Sequence, residues 1–137
     1  MQTIGVGVGA VIWNEAGELL LFQRKKAPEV GHFSIPGGKV DWMETIEEAV
    51  VREIEEELGV KVSINTLLGV TNHRLPEEGI HYIAPTFHVE IEAGELVNRE
   101  PEKHGHLAFY PLDQLPQPLT LTTKEALRMW HEKNIDN

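Results

Sequence analysis

The chain has 137 residues, enough for a single hydrophobic core, and residues 1–137 read as one domain. Its 22 acidic and 12 basic residues leave a formal net charge of −10, which argues against a broad nucleic-acid-binding face, because phosphate backbones need Lys and Arg contacts. With no cysteine, no apolar run of membrane-span length and no basic-then-apolar leader, disulfides and thiolate metal sites are excluded, and a cytoplasmic protein without membrane partners is expected.

In chain order, residues 3–13 and 18–24 predict two strands around Asn14-Glu15-Ala16-Gly17, a hairpin turn. Phe33-Ser34-Ile35 reads as a short buried strand, broken by the turn Pro36-Gly37-Gly38. Thr45 with Glu48 three residues on fits a capping box, and Gly59 fits a helix stop, so a helix over 45–58 is predicted. Residues 61–74 and 80–92 predict strands flanking Leu75-Pro76-Glu77-Glu78-Gly79, and residues 106–110 a shorter one. Pro111 to Pro118 predicts an irregular connection. A closing helix over 122–133 has its own box, Thr122 to Glu125, and an apolar face of Ala126, Leu127 and Trp130. Strands and helices mix without strict alternation, so the class is α+β with a mixed sheet.

The 45–58 helix carries acids in places where solvated charges do not belong. Ile46, Ala49, Val50 and Ile54 define its core-facing arc at about 100° per residue. Glu53 and Glu57 project between those apolar residues, with Glu56 at the flank, and the i, i+3, i+4 spacing makes the three neighbours. Burying clustered like charges costs several kcal/mol unless they are paired, and Arg52 is the only base on the helix. A hard divalent cation such as Mg²⁺ resolves the conflict and also binds substrate phosphates. The plainer alternative, a solvated acidic helix, does not explain the inward placement. The glycine pair before the helix lets a backbone approach a ligand closely.

The residues Gly38-x5-Glu44-x7-Arg52-Glu53-Ile54-x-Glu56-Glu57-x-Gly59-Val60 resemble a complete Nudix box. The opening Gly5-Val6-Gly7-Val8-Gly9-Ala10-Val11-Ile12, the Pro36-Gly37-Gly38-Lys39 turn and the Asn98-Arg99-Glu100-Pro101-Glu102-Lys103 segment are similar to MutT-type nucleoside triphosphate pyrophosphohydrolases, including the branch of the human thiopurine-nucleotide diphosphatase. The resemblance implies the Nudix fold, an α/β/α sandwich around a mixed sheet, and Mg²⁺-dependent attack of water on a diphosphate, with Mn²⁺ able to substitute. Carried over by position, Glu53, Glu56 and Glu57 would bind metal beside the Gly37 carbonyl. Arg52 would hold Glu53, Glu44 would support the loop, and Glu100 or Glu102 would add a ligand or a general base. Gly38 would lie against the substrate. A homodimer is compatible with the resemblance; the sequence leaves oligomeric state open. Two departures stand out. Trp42-Met43 replaces the common glycine before the first box glutamate, so an altered loop is expected, and Leu107 and Phe109 stand where the branch tends to carry Trp.

Arg24 closes the second strand near the box loop and is a candidate phosphate contact, as is Lys39. The seven histidines form no convincing metal set: His104 and His106 alternate as on a strand, and His73 and His81 are placed to face each other across a hairpin. Phe87, Phe109, Tyr82 and Trp130 are candidates for base stacking, each more simply read as core. The expected reaction converts a nucleoside triphosphate to monophosphate and pyrophosphate, with a small-molecule nucleotide as partner. The alternatives are cleavage of ADP-ribose or a similar diphosphate, which Pro76, sixteen residues after Val60, favours by resemblance, and nucleotide sensing without cleavage.

Overall fold

The computed structural model describes residues 2–135. Its elements are β1 (Gly5–Val11), β2 (Leu19–Arg24), β3 (Phe33–Ser34), β4 (Gly37–Lys39), α1 (Ile46–Leu58), β5 (Lys61–Leu75), β6 (Ile80–Ala93), β7 (His104–Tyr110) and α2 (Leu121–Ile135). The turn between β1 and β2 forms as predicted, with Asn14 accepting from Gly17 and Glu18 backbone N–H groups. The two strands nevertheless belong to different sheets. One has the order β4-β1-β6-β5 and the other β3-β2-β7. Leu20 N still donates to Ile12 O where the sheets meet, so the predicted hairpin is a corner from which the chain passes between layers.

The four-stranded sheet is mixed, because β1 runs parallel to β6 and antiparallel to β4. Pairing of β1 with β6 lapses between Val6/Ile83 and Gly9/Thr86, where Pro85, which lacks an N–H, falls in the interior strand. Alternation along β1 splits the core in two. Val8, Ala10 and Ile12 pack with Ala49, Val50, Ile54 and Leu58 of α1. On the opposite face, Val11 joins Leu19, Leu21, Ile35 and Leu68 against Ala126 and Met129 of α2. Helix, sheets and helix thus form the expected α/β/α sandwich.

Two local expectations are corrected. Gly37–Lys39 is a strand paired with Gly7–Gly9, not a plain turn, since its hydrogen bonds come from a distant segment that overrides poor glycine propensity. The two long strands form as predicted, Lys61–Leu75 and Ile80–Ala93, joined by a single 3-10 turn over Pro76–Glu78. Helix α2 begins at Leu121, with the Thr120 hydroxyl accepting from Thr123 N–H at 3.3 Å, so the cap is Thr120 and not Thr122. Among the described residues no helix is long and apolar enough to cross a membrane.

Candidate active site

Helix α1 starts and stops where its sequence signals predict. Thr45 and Glu48 exchange the two capping-box hydrogen bonds, 3.0 and 2.9 Å, and Gly59 closes the helix at φ 72. This fixes the rotational phase of the acids. Glu57 points inward and is only 4% exposed, Glu53 is half-buried, and Glu56 is exposed. The Gly37 N–H donates to Glu57 Oε1 at 3.0 Å. A Cβ at Gly38 would collide with the Glu53 carboxylate. The glycine pair therefore lets carboxylates of α1 reach the β4 backbone.

Arg52 is the clasp of the site. Its Nε and Nη2 bond both Glu44 oxygens at 2.7 and 2.8 Å, and Nη1 reaches Glu53 at 2.8 Å and Glu56 at 3.1 Å. Nη2 also donates to Lys39 O at 2.9 Å. One planar fork thereby fastens the 39–44 loop to the helix and orients two of the acids. The Arg52 hydrogen bonds hold the Glu44 carboxyl down at about 2, well below its ordinary value. Arg52 itself is shifted upward, chiefly by Glu44.

A fourth acid and a histidine complete the cluster. Glu100 precedes β7 in a turn closed by its own carbonyl, which accepts from Lys103 and His104 N–H. Asn98 braces the turn through its bonds to His104 O and Glu100 N. Ligand atoms of Glu57, Glu100 and His104 lie within 4.8 Å of one another. His104 Nε2 is 3.6 Å from Glu57 Oε2, and its ring stacks on Phe22 at 3.8 Å. Burial lowers the His104 pKa to about 4, so the imidazole is neutral at pH 7. Burial, with the Glu53 charge next, raises Glu57 well above its ordinary value, and burial likewise raises Glu53. These acids are short of positive charge, because Arg52 is divided among four carboxylates, those of Asp41, Glu44, Glu53 and Glu56. The oxygen-rich donor set of Glu53, Glu56, Glu57 and Glu100 suits a hard divalent cation. His104 is the member that sequence reasoning missed. Its signal was its position four residues after Glu100, at a strand start facing the acids.

Arg52, Glu53, Glu56, Glu57, Glu100 and His104 open on one cavity of about 700 Å³. Arg24 lines it, as expected, but its Nε and Nη2 are engaged by the Pro28 and Ala27 carbonyls at 2.6 and 3.2 Å. Lys39 lines the rim with Nζ 6.0 Å from the Tyr82 ring centre. Glu100 borders the cavity, whereas Glu102 is exposed and does not. Of the four aromatics, Tyr82 lines it. Phe87 and Phe109 pack in or against the core, and Trp130 meets Trp13 at 4.9 Å. His73 is registered opposite Tyr82 and His81 opposite Arg74, so the two histidines do not face each other. Pro76 lines a separate hollow with Arg74 and His81.

A Nudix domain model matches residues 3–130. The chain belongs to the Nudix hydrolase family. It is similar to a MutT Nudix hydrolase from Burkholderia pseudomallei, 46% identical with a TM-score of 0.88, covering 93% of this chain and 98% of that one. It is 38% identical over 112 residues to an ADP-ribose pyrophosphatase from Methanocaldococcus jannaschii, covering 82% of this chain and 64% of the relative. A human 8-oxo-dGDP phosphatase is 34% identical over 112 residues, 80% of this chain and 33% of its own length. The chain thus spans a third to about two thirds of the length of these two curated relatives. The fold and the MutT-like character of this Nudix protein agree with the sequence reading.

Proposed function

We propose that this Nudix chain acts as one domain over 1–137 and hydrolyses nucleoside triphosphates to monophosphate and pyrophosphate with Mg²⁺, for which Mn²⁺ can substitute. The observation that carries this is the convergence of Glu53, Glu56, Glu57 and Glu100 on one cavity bordered by Arg24 and Lys39. Glu53, Glu56 and Glu57, beside Gly37, would hold the metal, with Glu100 and His104 within reach. Once bound, the metal supplies positive charge to the phosphoryl oxygens and makes water more acidic. Arg52 fixes Glu53 and Glu56 before substrate arrives, which lowers the ordering cost of the reaction. Gly37 N–H keeps Glu57 aimed into the cavity. Glu53 and Glu100 both border it, and one of them takes the proton of the attacking water. Arg24 and Lys39 steady the phosphates. Glu102, exposed outside the cavity, has no such role in this reading, and Glu100 takes its place.

The test is incubation with Mg²⁺ and a panel of common and oxidised nucleoside triphosphates plus ADP-ribose, with products separated chromatographically. Monophosphate with pyrophosphate is the expected result, and Glu56→Gln should abolish most turnover in a folded protein. A near-native rate in that variant would remove Glu56 from the metal set. AMP with ribose 5-phosphate from ADP-ribose alone would establish the second reading, which the similarity to the M. jannaschii enzyme favours.

A further inference from the structure

The four-stranded sheet carries a second hollow, of about 720 Å³, beside the β5–β6 turn. Strand register places it. His73 pairs with Tyr82 and, one rung on, Arg74 pairs with His81. Side chains directly opposite each other share a face, and successive rungs alternate between the two faces. His73 and Tyr82 line the cavity that holds the Nudix acids, so Arg74 and His81 line the hollow on the other face. The two spaces stand back to back across consecutive rungs of one ladder.

Charge sets the hollow apart. The Nudix cavity is lined by six acidic residues, whereas none of the residues lining the hollow is acidic, in a chain with 22 acids and 12 bases. Arg74 is exposed and, among the described residues, makes no ion pair or side-chain hydrogen bond. A charge on an edge strand discourages pairing with foreign strands, but that role needs neither a basic neighbour opposite nor a recess free of acids. Two basic side chains facing each other gain nothing from one another. They gain from an anion seated between them. The guanidinium fork matches two phosphate oxygens, and the imidazole offers an N–H donor in either protonation state.

The rest of the lining selects among anions. Gln2 and Thr3, from the segment before β1, bring polar groups into the same hollow. Ile4, 62% exposed, brings apolar surface together with Pro76 and Ile80. Inorganic phosphate would fill a small part of a hollow of this volume, which lies in the range of small-molecule pockets, and would leave the apolar surface uncovered. A phosphate carried on a flat, weakly polar ring system uses both. We propose that the hollow is a second ligand site that takes a nucleoside monophosphate, its phosphate on Arg74 and His81 and its base against Ile4, Pro76 and Ile80. The site is separate from the hydrolytic one and does not depend on a metal there.

Titration of the metal-free protein with AMP, followed through its backbone amide signals by NMR, tests the proposal. Without metal the acids of the Nudix cavity repel an anion. The signals that move should therefore be those of Gln2, Thr3, Ile4, Ile80 and His81, and not those of Gly37 and Gly38. Arg74→Gln should weaken AMP binding by about tenfold or more, since it removes a charged phosphate contact. Its spectrum without ligand should otherwise match the wild type, because no described neighbour bonds to the Arg74 side chain. Adenosine, which lacks the phosphate, should move none of these signals at concentrations at which AMP saturates them. Inorganic phosphate should move the same signals with an affinity at least about tenfold below that of AMP. Shifts confined to Gly37, Gly38 and their surroundings, or equal AMP affinity in Arg74→Gln, would remove the site. Equal affinity for phosphate and AMP would overturn the nucleotide assignment and leave a simple anion site.

Discussion

Met43 shows how a single residue can keep a loop's shape at a cost. It holds φ 69, the left-handed conformation for which glycine is suited, and its side chain is 82% exposed beside a Trp42 that is 92% exposed. The sequence departure at Trp42-Met43 predicts an altered loop. The backbone there takes a left-handed turn of the kind glycine favours, held by the Arg52 clamp on Glu44 one residue on. Left-handed geometry costs a residue with a Cβ about 1–2 kcal/mol, and the extra unfolded-state entropy of glycine returns about 0.4–1 kcal/mol of that difference. The first effect is the larger, so Met43→Gly should stabilise the fold by about 0.5–1 kcal/mol, measured as a rise in urea midpoint at constant m-value. An unchanged or lower midpoint would mean that Met43 makes packing contacts worth more than its strain. The same scale explains why His104 was not legible. A lone histidine at a strand start is usually structural, and its approach to Glu57 depends on β2–β7 pairing between segments 80 residues apart in sequence, Arg24 with His104.

Among the elements, α1 was readable almost to the residue because its signals are local: a capping box, a glycine stop and an apolar arc. The same locality made the inward acids stand out, and the burial of Glu57 confirms that arc. β4 was hidden for the opposite reason, since Gly37–Lys39 owes its extended form to Val8 and its neighbours on β1. The run Thr120-Leu121-Thr122-Thr123 offers three hydroxyls for one cap, and sequence cannot rank them. In the fold Thr123 Oγ1 is taken by Ile35 N–H, leaving Thr120 as the cap. The contact between β4 and α1 yields a sharp expectation. Gly38 has ordinary backbone angles but no room for a methyl group beside the Glu53 carboxylate. Gly38→Ala should therefore push Glu53 from its bond to Arg52 and lower kcat by about a hundredfold, the scale expected from a 1 Å misplacement. Stability should change little, because the displaced side chain can move toward the open cavity. A variant with wild-type kcat would show that Glu53 need not sit against β4 for turnover.

At the scale of the whole molecule, the sequence was legible in class and layering but not in how the chain distributes strands between sheets. The β1–β2 turn looks like any hairpin, and only the pairing of β2 with β3 and β7 reveals the corner. That corner opens the gap between the sheets in which the cavity lies. A chain with net charge −10 that lines this cavity with six acids invites a test independent of catalysis. A ligand that binds only the folded state stabilises it by RT ln(1 + [L]/Kd), about 1.4 kcal/mol at ten times Kd. For a domain of this size that corresponds to a Tm rise of about 5 °C. Mg²⁺ should produce such a rise beyond that of NaCl at equal ionic strength. Glu57→Gln sharpens the test because its effect should change sign. Without divalent metal, a neutral amide relieves the buried charge and the repulsion from Glu53, so the variant should melt at or above the wild type. With Mg²⁺ the order should reverse, since the variant has lost a ligand. Equal Mg²⁺ shifts in the two proteins would place the cation elsewhere than at the inner end of α1.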